Sequence, residues 1–342
     1  MQEQFDFHTL LTWFLSRKSL HLDAEGPWVV SMIAKNIAYS YSALPKTKAP
    51  LEKITVNIEK IKDKDYLGNE AQYLSSVLKL KEFVVSNIKE HVVDFLIHGS
   101  VSTLDYVKGW SDLDTLVILK SKTITNPLAL MDLREKLHRA HDYLLALDPL
   151  QHHGFIFCTE FDLNQYLSHC MPVAVLQESK SLIDGQFLTL AQRRSTNDIE
   201  SFFAKKVALF KRSHQSGILQ HHEFEGKYLQ ESYKDMNTMN QMKYFLSIVM
   251  SLPIYYLDAI GEPCYKKESF NRVKPDFVDD WEMIERASEV RQIWGEKETI
   301  PHVGNDIPLW LPEVLGDRYF ERAHNIAKLM LDNLVSKSIR AA

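Results

Sequence analysis

Cysteine is scarce in this sequence, and the little there is has no pattern. Cys158, Cys170 and Cys264 are the only cysteines in 342 residues. They are odd in number and lack the paired spacing that zinc or a disulfide framework requires. Reduced, buried thiols in a cytoplasmic protein are the expectation. A basic excess is missing too. Forty Lys and Arg against 45 Asp and Glu leave a net charge of −5, which argues against a general nucleic-acid binder. No long hydrophobic run is present either: the most apolar stretch, 244–260, is interrupted by Pro253 and carries Asp258, so no membrane span is expected. Nor do the first residues read as a signal peptide, since QEQFDFH follows Met1 in place of a basic segment. Repeats and low-complexity segments are absent. What remains is 45% hydrophobic residues and a length sufficient for two or three domains with full cores.

Three regions read from the apolar spacing. Residues 1–66 form an N-terminal helical region: Phe5, Leu10, Leu11, Phe14 and Leu15 share one amphipathic stretch, and 28–44 makes another, ended by Pro45. The Lys- and Pro-marked KTKAPLEK follows as a linker. Residues 67–190 alternate helix, strand, turn, strand, helix, strand. A helix runs through Leu74, Val77, Leu80, Val84 and Ile88, and a strand covers 92–97. Leu130, Leu133, Leu137, Ala140, Leu144 and Leu147 recur at helical spacing, and 155–159 is a further strand. That order implies an α+β arrangement, a small mixed sheet covered by helices. Residues 191–342 read as helical, with segments at 199–214, 228–260, 278–294 and 311–334, and Gly261 with Pro263 as a stop.

The chemistry concentrates in FLIHGSVSTLDYVKGWSDLDTLVIL, residues 95–119. An apolar run ends in Gly99-Ser100, residues 101–111 intervene, and Asp112-Leu113-Asp114 opens a second apolar run. On a strand, Asp112 and Asp114 point the same way while Leu113 points into the core. Two carboxylates side by side repel unless a cation stands between them. Hard oxygen donors suit Mg²⁺, which completes its shell with water and substrate phosphates. Gly99 has no Cβ, so backbone N–H groups there can approach a phosphate closely. The plain alternative is that Asp112 serves a turn and Asp114 is a satisfied polar group at a strand end.

These residues resemble the nucleotidyltransferase superfamily, the fold shared by polymerase beta and by small bacterial nucleotidyltransferases of the kanamycin-resistance type. Gly99, Ser100, Asp112 and Asp114 match its signature, and Ser111 before the first Asp is common there. The resemblance covers about a hundred of the 342 residues, with a weaker echo in the C-terminal helices. It implies a small mixed-sheet nucleotidyltransferase domain with an N-terminal helical extension and a C-terminal helical domain. The implied reaction is Mg²⁺-dependent. A nucleoside monophosphate would pass from a nucleoside triphosphate such as ATP to an acceptor hydroxyl, with pyrophosphate released. The kanamycin-type resemblance suggests a small hydroxylated molecule as acceptor, and a protein hydroxyl is the other possibility.

Family members usually carry a third carboxylate on the next strand, and no residue fills that place cleanly here. His152 or His153, at the start of that strand, could stand in as general base. Glu160 and Asp162 at its far end and Asp148 before it are the acidic alternatives; which end faces the site depends on strand direction. Lys266 and Lys267 resemble the lysine that reaches the triphosphate from the helical domain, with Arg291 a further basic candidate. Lys205, Lys206, Lys211 and Arg212 read as an exposed helix face, and His221-His222 beside Glu223 and Glu225 as an interhelical loop. A catalytically silent nucleotidyltransferase fold, binding a nucleotide or a protein, is the competing reading. A histidine or acid within reach of the aspartates would favour the enzyme, and an apolar wall the silent module.

Overall fold

The computed structural model describes residues 2–45, 51–67, 71–148, 151, 153–167, 171–192, 196–219, 237–279, 281–297 and 306–341. In chain order the strands are β1 (Glu52–Lys60), β2 (Val92–Ile97), β3 (Thr115–Leu119), β4 (Ile156–Thr159), β5 (Lys180–Ser181) and β6 (Gln186–Gln192). They form one mixed sheet in the order β4-β3-β2-β5-β1-β6, so the protein is mixed α+β.

All of β3 is buried, as an uninterrupted apolar run requires when both faces of a strand are covered. In β2 the run VVDFLI is broken by Asp94, itself buried. Its carboxylate accepts from the Phe95 N–H at 2.8 Å and the Ser181 hydroxyl at 2.6 Å, so the charge is satisfied inside the sheet. Burial pushes its pKa above the usual carboxylate value, against those hydrogen bonds.

β2 and β3 are antiparallel, with Ile97 opposite Thr115. β3 and β4 are parallel, with Leu116 opposite Ile156 and Leu119 opposite Thr159. Parallel neighbours need a crossover, and the helix Pro127–Leu147 supplies it. Asn126 caps its start by accepting the N–H groups of Leu128 and Ala129, with Pro127 at the first helical position. Its six periodic apolar side chains, Leu130 to Leu147, are all buried. Truncating one of the leucines to Ala costs about 2–5 kcal/mol.

Residues 1–66 are helical only in part. The helices Gln2–Leu15 and Pro27–Ser42 are present, but β1 occupies 52–60. Ile54, Val56 and Ile58 alternate with Thr55 and Asn57, the two-residue period of a strand with one buried face. Val56 pairs opposite Leu188 of β6. The N-terminal helices share the core of the sheet through Leu11, Phe14, Ala34 and Ile37. Buried Arg134 of the crossover helix ties them down, bonding Ser19 Oγ at 2.9 Å, the Ser19 carbonyl at 2.6 Å and Asp23 at 2.8 Å.

The chain divides into two compact units. The first comprises Met1–Tyr106, Ser111–Leu167 and Leu176–Arg193, and the second Val107–Trp110, Ser168–Val175 and Arg194–Ala342. In the second, the helix Met239–Ala259 is buried on nearly every face. It begins with a capping box between Thr238 and Gln241. Trp110 packs edge-on to Trp294, which packs at a tilt on Trp310, with ring centroids 5.1 and 5.5 Å apart. The helix expected over 311–334 is two helices, Trp310–Leu315 and Tyr319–Ala341. Gly316, at φ +74°, ends the first in a conformation other residues rarely adopt. No helix among the described residues is long and apolar enough to cross a membrane.

Candidate metal and phosphate site

The end of β2 and the start of β3 lie together because the two strands are antiparallel. Past Ile97, the His98 N–H still donates to the Asp114 carbonyl at 3.0 Å. The chain then turns into the short helix Gly99–Thr103, with Gly99 at φ +68°. A Cβ built at Gly99 would overlap the Asp114 carboxylate. Glycine is therefore required there twice, for its left-handed backbone and for the space the acid fills. The two halves of the motif, separated by residues 101–111, are one packed site.

The aspartates stand in the extended lead-in to β3 rather than within its ladder, which opens at Thr115. The alternation expected of a strand nevertheless holds. Leu113 is fully buried, while the side chains of Asp112 and Asp114 keep 13% and 23% exposure. The Ser100 hydroxyl donates to Ser111 Oγ at 2.9 Å, and the Tyr73 hydroxyl donates to the Ser111 carbonyl at 3.0 Å. Ser111 thus braces both the Gly-Ser turn and the backbone that delivers Asp112.

Because β4 runs parallel to β3, residues that precede it arrive at this same end. His153 Nε2 lies 2.7 Å from Asp114 Oδ1 and 3.4 Å from Asp112 Oδ2, and its Nδ1 lies 3.0 Å from the Gly154 carbonyl. Gln151 Oε1 accepts the Leu113 N–H at 3.2 Å, tying this loop to the backbone between the aspartates. Burial opposes charge on His153. The Asp114 hydrogen bond and charge, the Asp112 charge and the Gly154 carbonyl outweigh it and raise the imidazole pKa to about 10. At neutral pH both ring nitrogens therefore donate, Nε2–H to Asp114 and Nδ1–H to Gly154.

His98 stands beside this cluster and is itself buried. Its Nε2 has no hydrogen-bond partner among the described residues. Burial pushes its pKa below the usual imidazole value. The Asp114 and Asp112 charges pull it up and the His153 charge pulls it down. It was not singled out in the sequence. The available signal was a polar residue closing the apolar run just before Gly99.

One ligand atom each from Asp112, Asp114 and His153 lies within 4.8 Å of the others, the spacing of donors around a single small divalent cation. The donor set, two carboxylates and an imidazole, fits such an ion. Glu160 follows β4 at the opposite end, where its Oε2 accepts the Ser121 N–H at 2.6 Å. Asp148 is buried at the end of the crossover helix. Lys266 and Lys267 open the helix Lys266–Val273 of the second unit, and Arg291 lies in its helix Glu282–Lys297. Lys205, Lys211 and Arg212 are exposed on Thr196–Ser216, and Lys206 covers the Phe202 ring at 4.9 Å. Cys158 and Cys264 are buried thiols with no disulfide. His152, Cys170 and the 221–225 cluster lie outside the described residues.

Compared with protein-family models, with curated proteins and with solved structures, the chain matches none of them.

Proposed function

We propose that this chain is a divalent-metal-dependent nucleotidyltransferase. The observation that carries the reading is the contact between the motif halves: the Asp114 carboxylate occupies the space above Gly99, with Asp112 and His153 beside it. A turn stripped of its side chain, next to paired carboxylates, suits a ligand that brings both phosphate oxygens and a cation. Mg²⁺, held by Asp112 and Asp114, would supply positive charge to the phosphates of a nucleoside triphosphate and to the departing pyrophosphate.

The chain's own residues do the rest by positioning. Gly99 leaves room for the Asp114 carboxylate against the turn, so the acid and the Gly-Ser backbone reach the substrate side by side. Ser100 presents a hydroxyl whose direction Ser111 sets through their 2.9 Å hydrogen bond. Tyr73 and Gln151 hold the backbone on either side of Asp112, so the carboxylates meet the substrate without rearranging. The acceptor hydroxyl would attack the α-phosphorus in line; its O–P bond forms as the bridging P–O bond to pyrophosphate breaks. A small hydroxylated molecule is the proposed acceptor, with a protein hydroxyl the variant to be tested beside it. His153, within reach of both aspartates, favours an enzyme over a silent nucleotide-binding module, for which an apolar wall would be expected.

The test is pyrophosphate release from each of the four ribonucleoside triphosphates with Mg²⁺, across pooled metabolite acceptors, for wild type and for Asp112→Ala/Asp114→Ala. Release by wild type alone supports the proposal. Absence of both release and nucleotide binding in the wild type removes it.

A further inference from the structure

We propose that His153 is itself a ligand of the bound cation, standing where a third carboxylate is expected, and that this makes the site select Mn²⁺ over Mg²⁺. The inference rests on the cation-binding part of the reading above and not on the transfer reaction. Its support is geometric. An octahedral ion with bonds near 2.1 Å places neighbouring donors about 3 Å apart. His153 Nε2 lies 2.7 Å from one aspartate oxygen and 3.4 Å from the other, on either side of that separation. The opposite nitrogen, Nδ1, is bonded to the Gly154 carbonyl at 3.0 Å. This outer bond fixes a ligating imidazole and commits Nε2 to the metal. Gln151 holds the same loop against the Leu113 backbone, so the three donors arrive as one assembly. Binding exchanges the cation for the Nε2 proton, which leaves to water.

Donor chemistry then decides the ion. Mg²⁺ is hard and keeps oxygen ligands and waters, whereas imidazole suits first-row transition ions. Mn²⁺ accepts carboxylate, imidazole and phosphate oxygen together. A second observation points to a ligand at this end of the sheet. His98 is 8% exposed, its Nε2 has no partner among the described residues, and it is close enough to be influenced by the charges of Asp112, Asp114 and His153. His98 Nε2 is thus a buried polar atom left for something the site takes up.

The experiment titrates metal-stripped, full-length protein with manganese chloride and with magnesium chloride by calorimetry, and records pulsed EPR of the Mn²⁺ form. Wild type is expected to show the ¹⁴N coupling of a directly bound imidazole. His153→Asp, which restores an all-oxygen set, should lose that coupling and bind Mn²⁺ about tenfold or more weakly, with Mg²⁺ affinity retained. A wild-type spectrum without nitrogen coupling overturns the proposal even if the variant fails to fold. So does an unchanged preference between the two ions in a folded variant. Pyrophosphate release measured on the same samples separates the two readings. Nitrogen-coupled Mn²⁺ without nucleotide binding leaves the ligand assignment standing and removes the transferase. Release without nitrogen coupling does the reverse.

Discussion

At one end of β3 and β4 stand Asp112, Asp114 and His153; at the other stand Glu160, Asp162 and His8. Each end carries two carboxylates and an imidazole, and the partners differ. At the far end, Asp162 Oδ2 accepts the Thr159 N–H at 2.7 Å and its hydroxyl at 2.6 Å, and Oδ1 meets His8 at 2.7 Å. Glu160 takes the Ser121 N–H. Those acids close the backbone of two short helices, Ser121–Ile124 and Glu160–Leu163, and their charge is met by main-chain N–H groups together with the Thr159 hydroxyl and His8. At the near end, two carboxylates converge on a single imidazolium, and the local charge stays negative. On the function proposed above, that difference separates an acid that builds the fold from one that would receive a cation.

The contrast can be broken most sharply by substituting each end in turn. Asp112→Ala or Asp114→Ala is expected to lower pyrophosphate release on the order of 10³-fold, with the circular dichroism spectrum unchanged. Glu160→Gln should leave the rate nearly as it was. Equal losses from both ends would erase the distinction.

Gly99→Ala probes the near end through space alone. The φ of +68° costs an alanine about 1–2 kcal/mol, and the new methyl must displace Asp114. Metal affinity, read by calorimetry, should drop about tenfold or more; an unaltered affinity would mean that Asp114 does not need the position it holds.

For the far end the loss should appear in stability. Asp162→Ala removes the capping box and is expected to cost about 1–2 kcal/mol in urea unfolding, with turnover per folded molecule preserved. Impaired turnover at full stability would reverse the roles of the two ends.

A smaller effect is expected with pH. The folded pKa of His153 is raised to about 10, so its contribution to metal-free stability is fully present below the ordinary imidazole value near 6.5. It is lost as pH rises through about 10. Unfolding midpoints taken between pH 7 and 10.5 should decline in wild type, and less so in His153→Gln. His138 has the opposite sign. Burial first, then the Arg134 charge, depress it to about 4, so stability falls as pH drops from about 6.5 to that value.

Much of the first unit could be read before its fold was seen. β2 occupies the expected residues 92–97, and the crossover helix carries every periodic leucine that marked it. Both are strong local patterns, with dense apolar content and one period. β1 and β6 were not found, although Ile54-Val56-Ile58 and Leu188-Leu190 alternate. Each strand exposes one face, charged Glu and Lys flank the first, and short half-polar runs resemble loops until they are paired. His98 carries no strong signal of its own, because its value lies in neighbours from the lead-in to β3 and the loop before β4.

The sequence by itself determined that Asp112 and Asp114 share a face across Leu113, because an extended backbone alternates every residue. It also determined that Gly99-Ser100 follows an apolar strand. Which polar group would meet those acids was open among Asp148, His152, His153, Glu160 and Asp162. Tertiary structure decided it: the crossover helix makes β4 parallel to β3, so the loop leading into β4 reaches the aspartates and the helix leaving it does not. Strand direction and register arise from pairings between segments distant in the chain, and no local spacing encodes them.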